Sequence, residues 1–380
     1  EAEFVAQEEM DRRTGYWWSP DERFIAVERF DEKPVHTFTR AAIGATGTRI
    51  FEQRYPAAGT PNALVELYVM KADGSGRVKV DLGPETDIYL ARVDWAPDGS
   101  ALLVQRESRD QQRLDVLRVD PATGKSALLF RERAAKKSWI NLTDAYHMMN
   151  DGSLIWRSER SGYGHLYRFK GGKWTQLTSG EWVVTGLVGV AEEKGRIYFT
   201  GTKDDVLEQQ LYTLDLARPK QVTRLTERGW NNGARMDGAA SRLIVTRSSP
   251  TQPTQAFLAD TDGKRVAWIN ENAVVAGHPY YPYLASHRPV QYGTIKAADG
   301  SVLHWKMITP VLEPGKKYPV FMEHYGGPGS QTVTRGWSGP FSQYLAAHGW
   351  IFFEIDNRGS PNRGTAFESQ IHHAMGTVEV

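Results

Sequence analysis

With 380 residues the chain exceeds the size of one ordinary core, so two or more domains are expected. Its 46 Lys and Arg nearly balance 45 Asp and Glu, which leaves no global field to draw in nucleic acid or an anionic membrane, and the lack of Cys removes disulfides, thiolate nucleophiles and Cys-bearing zinc sites while leaving the compartment open. An apolar fraction of 40% with 11% aromatic residues is enough to bury a core, no apolar run reaches the ~18–20 residues of a membrane helix, and the opening at Glu1 without Met or leader predicts a piece cut from a longer protein.

The first elements are charged. Glu8 and Glu9 precede Met10-Asp11-Arg12-Arg13, and adjacent glutamates of this kind read either as a solvated face or as two carboxylates converging on an ammonium. A free peptide α-amine, with a pKa around 7.7–8.0, is mostly protonated at neutral pH and fits the second reading.

From about Trp17 to about Val266 short β-rich runs alternate with Asp, Gly, Pro and Ser turns. A turn-then-strand unit recurs. It is seen at Trp17-Trp18-Ser19-Pro20-Asp21 before Phe24–Val27, at Trp95-Ala96-Pro97-Asp98-Gly99 before Ala101–Val104, and at Asn150-Asp151-Gly152 before Leu154–Trp156. Further copies lie at Arg196–Phe199 and Leu243–Val245, followed by partner strands at Gln210–Leu214 and Gln255–Ala259. The later spacing approaches the ~40–50 residues of a four-stranded propeller blade, and wider gaps earlier predict insertions, one of them at Arg54 to Asn62. A propeller fits better than a sandwich, which rarely sustains so many similar units.

After His278-Pro279-Tyr280-Tyr281-Pro282-Tyr283 the pattern changes. Thr294–Lys296 and Val302–Thr309 flank Ala297-Ala298-Asp299-Gly300 as a hairpin; a strand at Tyr318–Met322, a helix around Phe341–Ala347 and a buried strand at Trp350–Ile355 then make a βαβ unit, which needs a parallel sheet. The expected division is a propeller over 1–277, a linker over 278–292 and the start of an α/β domain over 293–380.

Tyr325 closes a strand and enters Gly326-Gly327-Pro328, where its phenol reads either as an oxyanion donor or as an ordinary strand-end tyrosine. Gly336-Trp337-Ser338-Gly339-Pro340 is not a nucleophile elbow, because no strand precedes Ser338 and Pro stands at the fifth position. His372-His373 has no metal-ligand spacing, and Asp356-Asn357-Arg358-Gly359 reads as a structural turn with an Arg salt bridge. Neither a metal nor a cofactor is implied.

These residues together resemble the dipeptidyl peptidase IV group of the prolyl oligopeptidase family, bacterial type. The resemblance lies in Gln7-Glu8-Glu9 followed by Tyr16-Trp17-Trp18-Ser19-Pro20-Asp21, in Arg54-Tyr55-Pro56-Ala57-Ala58-Gly59, in Tyr325-Gly326-Gly327-Pro328-Gly329-Ser330-Gln331 and in Asp356-Asn357-Arg358-Gly359-Ser360. It implies a mainly β chain, a partial β-propeller followed by the N-terminal part of an α/β-hydrolase domain. It further implies a serine exopeptidase that releases N-terminal dipeptides with Pro or Ala second, in which Glu8 and Glu9 hold the substrate amine and Tyr325 stabilises the oxyanion. With the amine clamped, two extended residues of ~3.3–3.6 Å each set which carbonyl reaches the nucleophile.

In that family pattern the Ser, Asp and His of the triad, the second oxyanion donor and the proline pocket lie beyond Val380, and the first blades lie before Glu1, so this piece alone is expected to be inactive. Glu323-His324 departs from the apolar or aromatic pair usual before the tyrosine. The partner implied is a peptide substrate with a free N-terminus, and the full-length protein is expected to be a homodimer in the periplasm or secreted, with the cytoplasm left open by composition. The alternatives are a prolyl oligopeptidase or acylaminoacyl peptidase relative, which needs no ammonium site, and a catalytically inactive propeller scaffold.

Overall fold

The structure is a computed structural model that describes residues 2–380. The chain forms two compact units, Glu1–Leu142 and Thr143–Val380, so the stretch read above as a propeller spans both.

The first unit opens with a short helix, α1 (Phe4–Glu9). Strands β1 (Tyr16–Trp18) and β2 (Phe24–Asp31) follow, then a separate hairpin of β3 (Thr37–Gly44) and β4 (Gly47–Arg54), then β5 (Leu64–Lys71) and β6 (Val78–Lys79). The first sheet has the order β1-β2-β5-β6. The insertion expected at Arg54 to Asn62 therefore begins earlier, with the β3–β4 hairpin, whose strands are almost wholly exposed. A second sheet contains β7 (Ile88–Trp95), β8 (Leu102–Ser108), β9 (Arg113–Val119) and β10 (Ser126–Arg133), paired consecutively and antiparallel.

In the second unit three more four-stranded sheets pair in sequence order. They are β11 (Tyr146–Met148) to β14 (Lys173–Gln176) with β12 (Leu154–Ser158) and β13 (His165–Lys170) between; β15 (Val184–Ala191), β16 (Arg196–Gly201), β17 (Gln210–Asp215) and β18 (Arg218–Arg224); and β19 (Asn231–Met236), β20 (Leu243–Ser249), β21 (Gln252–Ala259) and β22 (Arg265–Asn270). The repeated Asp-Gly turn has a local cause. Asp98 accepts from the N–H of Ser100 and Asp151 from that of Ser153, while Gly99 (φ +71) and Gly152 (φ +76) take the left-handed backbone that a side chain resists. Each turn delivers a strand whose apolar residues are buried, as at Leu102, Leu103, Val104, Ile155 and Trp156.

The last sheet has the order β23-β24-β26-β25, from β23 (Val290–Lys296), β24 (Val302–Ile308), β25 (Val320–Glu323) and β26 (Ile351–Ile355). The hairpin β23–β24 is antiparallel and β25–β26 parallel, the latter joined through α2 (Pro340–Ala347). Gly349 (φ +83) lets the chain leave α2, and Ile308, Ala346 and Phe352 make the core beneath it. A short helix, α3 (Thr365–Glu368), follows. No helix among the described residues is long and apolar enough to cross a membrane.

Candidate functional site

Glu3 opens the helix that carries Glu8 and Glu9. Its carboxylate accepts from the N–H groups of Val5 (2.6 Å) and Ala6 (3.0 Å), capping α1. Burial raises its pKa, against the lowering effect of those two bonds. Ala2, Ala6 and Met10 pack the helix on Tyr89 and Ala91 of β7, so its apolar side faces the second sheet. Glu8 and Glu9 end the helix, side by side and exposed. Neither makes a hydrogen bond or ion pair among the described residues. No basic residue occupies the last turn, and carboxylates at the negative end of a helix dipole are destabilising there. A cation placed between them would relieve that cost.

The chain beyond Glu9 is held from two directions. Asp11 takes a left-handed backbone (φ +52), and the N–H of Arg12 reaches back to the carbonyl of Ala6 at 2.9 Å. The buried Arg12 guanidinium then pairs both oxygens of Glu28 on β2, at 2.8 and 2.9 Å. Nothing in the local sequence pattern marks this buried pair, whose members lie 16 residues apart.

Tyr325 belongs to the other compact unit, two residues past the end of β25. It is 60% exposed and its hydroxyl makes no hydrogen bond among the described residues. Gly326 (φ +82) turns the chain, and a Cβ on Gly327 would lie 2.9 Å from Cε1 of the Tyr325 ring, so the glycines serve the ring's placement as well as the turn. Downstream the loop is pinned. Oδ1 of Asp356 accepts from the N–H of Thr332 (2.8 Å) and of Val333 (3.1 Å), and Nζ of Lys306 donates to the carbonyl of Thr332 at 2.9 Å. Burial pushes Lys306 down to about 8, opposed by the nearby Asp356 charge, and burial raises Asp356 in turn. Gln331 donates to the carbonyl of Val206 and the N–H of Arg335 to that of Leu207, fastening the loop to the connection between β16 and β17.

In the Asp356 turn Arg358 makes a salt bridge, as the sequence reading expected, with Asp299 at 3.1 Å. Ser338 lies in the loop before α2 with no strand ahead of it, which is incompatible with a nucleophile elbow. Among the described residues no group of His, Asp and Glu could hold a metal. Glu8 and Glu9 are thus brought together on one helix, and Tyr325 stands in a separate unit on a loop anchored by Asp356, part of the turn read from the sequence, and by Lys306, which the sequence did not single out.

Comparison with known proteins matches the chain to a family. The family described as "Dipeptidyl peptidase IV (DPP IV) N-terminal region" matches residues 1–254. Dipeptidyl peptidase 8 of Homo sapiens is 28% identical over all of this chain and 51% of its own length, and dipeptidyl peptidase 4 of Trichophyton rubrum is 27% identical over 99% of this chain and 51% of its own. The solved structure of Porphyromonas gingivalis dipeptidyl peptidase 4 superposes with a TM-score of 0.86 at 24% identity, covering 97% of this chain and 52% of that one. The chain spans about half the length of the curated relatives it matches. The fold is accordingly mainly β, a partial β-propeller followed by the N-terminal part of an α/β-hydrolase domain.

Proposed function

Because this chain belongs to the dipeptidyl peptidase IV family through its N-terminal region, we propose that it is the substrate-selecting part of a serine exopeptidase that releases X-Pro or X-Ala dipeptides from free N-termini. The observation that carries the reading is the unpartnered Glu8–Glu9 pair, held exposed at the negative end of an anchored helix. Two carboxylates there receive an ammonium through charge-assisted hydrogen bonds, and the amine so fixed counts off two residues to the scissile carbonyl. In the division we propose, residues 1–277 form the propeller, 278–292 the linker and 293–380 the start of the catalytic domain, whose triad comes from the remaining half of the protein. A periplasmic or secreted homodimer is part of the same reading.

Tyr325 supplies one oxyanion donor in this scheme. Its free, outward phenol is available to a tetrahedral intermediate in a way a buried, bonded hydroxyl is not. Tyr325→Phe in the full-length protein is expected to lower kcat by roughly 10²–10³-fold with KM little changed, the signature of a bond made only in the transition state. Unchanged kcat would remove Tyr325 from the site.

The reading as a whole is tested by mass spectrometry of the products from a peptide that begins X-Pro. The full-length protein should release the N-terminal dipeptide and the 380-residue chain alone should release nothing. Single amino acids or internal fragments as first products would refute it.

A further inference from the structure

We propose that Arg12 is a positioning residue for the Glu8–Glu9 carboxylates, acting through a buried pair with Glu28; this rests on the amine-clamp reading and deepens it. Glu9 and Arg12 are separated only by Met10, which ends the helix, and Asp11, whose φ of +52 is a conformation that side chains other than those of Asn and Asp seldom adopt. Such a turn persists when its surroundings over-determine it.

Arg12 supplies that constraint. Nη1 donates to the carbonyl of Thr14 (2.9 Å) and to Oε2 of Glu28 (2.8 Å), and Nη2 donates to Oε1 of Glu28 (2.9 Å) and to the carbonyl of Leu90 (2.9 Å). The guanidinium also lies over the Trp17 ring, 5.6 Å from its centroid. The planar fork thereby ties the end of α1 to β2, through Glu28, and to β7, through Leu90. With both side chains almost fully buried, the pair resists screening and the fork has one orientation. At its other end the helix is closed by the N–H of Ala2 on the carbonyl of Arg13 and by Glu3. The two clamp glutamates thus project from a single turn fixed at both ends, although they have no partner of their own.

A lysine at this position keeps the charge but loses the bidentate fork, so Arg12→Lys should let the turn drift. Displacement of about 1 Å in a positioning element costs up to ~10²-fold in rate. The test uses the full-length protein and two chromogenic X-Pro anilides, one with the free α-amine and one in which hydrogen replaces the amine. Arg12→Lys and Glu28→Gln are each expected to lower kcat/KM for the free-amine substrate by roughly 10–100-fold, mostly through KM, and to leave the amine-free substrate within about 3-fold.

Glu9→Ala runs alongside. If it fails to reduce the preference for the free amine, the clamp reading itself is wrong. If it abolishes the preference while Arg12→Lys and Glu28→Gln keep it, the clamp stands and the positioning role is refuted. An equal loss on both substrates, or failure of both variants to fold, would make the pair a plain stability element and overturn the proposal as well.

Discussion

Replacing Glu8 and Glu9 together by Gln in the full-length protein is expected to lower kcat/KM for a free-amine X-Pro substrate by roughly 10²–10⁴-fold. The size follows from two hydrogen bonds to a charged group, each contributing ~1.5–3 kcal/mol, with ~1.4 kcal/mol per factor of ten. Glutamine keeps the shape and an acceptor oxygen but removes the charge, so the loss isolates the electrostatic part. Glu9→Ala alone should show a large share of it. Both side chains are exposed and neither is bonded within the fold, so the variants should melt as the parent does. The pH dependence has a defined sign. Free-enzyme binding of the amine should weaken as pH rises through ~7.7–8.0, where the substrate ammonium loses its proton, and the double Gln variant should lose that limb. A double variant with parent-like kinetics would mean the glutamates form a solvated face and nothing more.

The second large effect lies in the sheet on which the helix bearing Glu8 and Glu9 packs. Glu107 on β8 sits opposite Tyr89 of β7 and Leu114 of β9 and is 2% exposed. Its Oε1 has no hydrogen-bond partner among the described residues, and both polar atoms of the Gln105 amide on the same strand face also lack one. Burial pushes the Glu107 carboxyl up to about 8, with Arg92 opposing the shift and Asp110 adding to it. The same burial takes Tyr89 up to about 12. An acid whose folded pKa is raised contributes its full stability below the unfolded value, near 4.5, and loses that contribution as pH climbs through 8. Between those values the unfolded chain ionises Glu107 while the folded one keeps it neutral. Urea unfolding should therefore show Glu107→Gln gaining on the parent by ~3–5 kcal/mol from pH 4.5 to pH 8, with Gln mimicking the protonated acid throughout. Parallel pH curves for the two proteins would show that Glu107 is ionised in the fold.

The sequence made legible whatever is set by local periodicity or turn chemistry. Asp98-Gly99 and Asp151-Gly152 mark turns because their side chains and left-handed glycines act within two residues, and the strands after them could be read as short apolar, β-rich runs bounded by those turns. The parallel β25–β26 pair was legible for the same reason, from a strand, a helix stopped by Gly349 and a second apolar strand. The β3–β4 hairpin was missed because both its faces are exposed, so no buried stripe imposes a period of two, and only the Pro and Gly residues after Arg54 drew notice. The supports of the candidate site were hidden differently. Arg12 meets Glu28 and the carbonyl of Leu90, and Lys306 meets Glu354 at 2.6 Å and the carbonyl of Thr332; each looks like an ordinary surface charge until distant strands enclose it. Glu8 and Glu9 stood out in the sequence as adjacent glutamates within a stretch that resembles the family's, and in the structure both remain exposed and outside any such pairing.

The most direct measurement compares kcat/KM of the full-length protein on an X-Pro anilide with a free α-amine and on the same compound acetylated at that amine. In the proposed clamp, acetylation removes the charge that Glu8 and Glu9 would receive and adds bulk where the ruler would end, so the blocked substrate should be cut at least ~10²-fold less efficiently. Equal efficiency on the two would contradict the amine clamp and, with it, the dipeptide-releasing function.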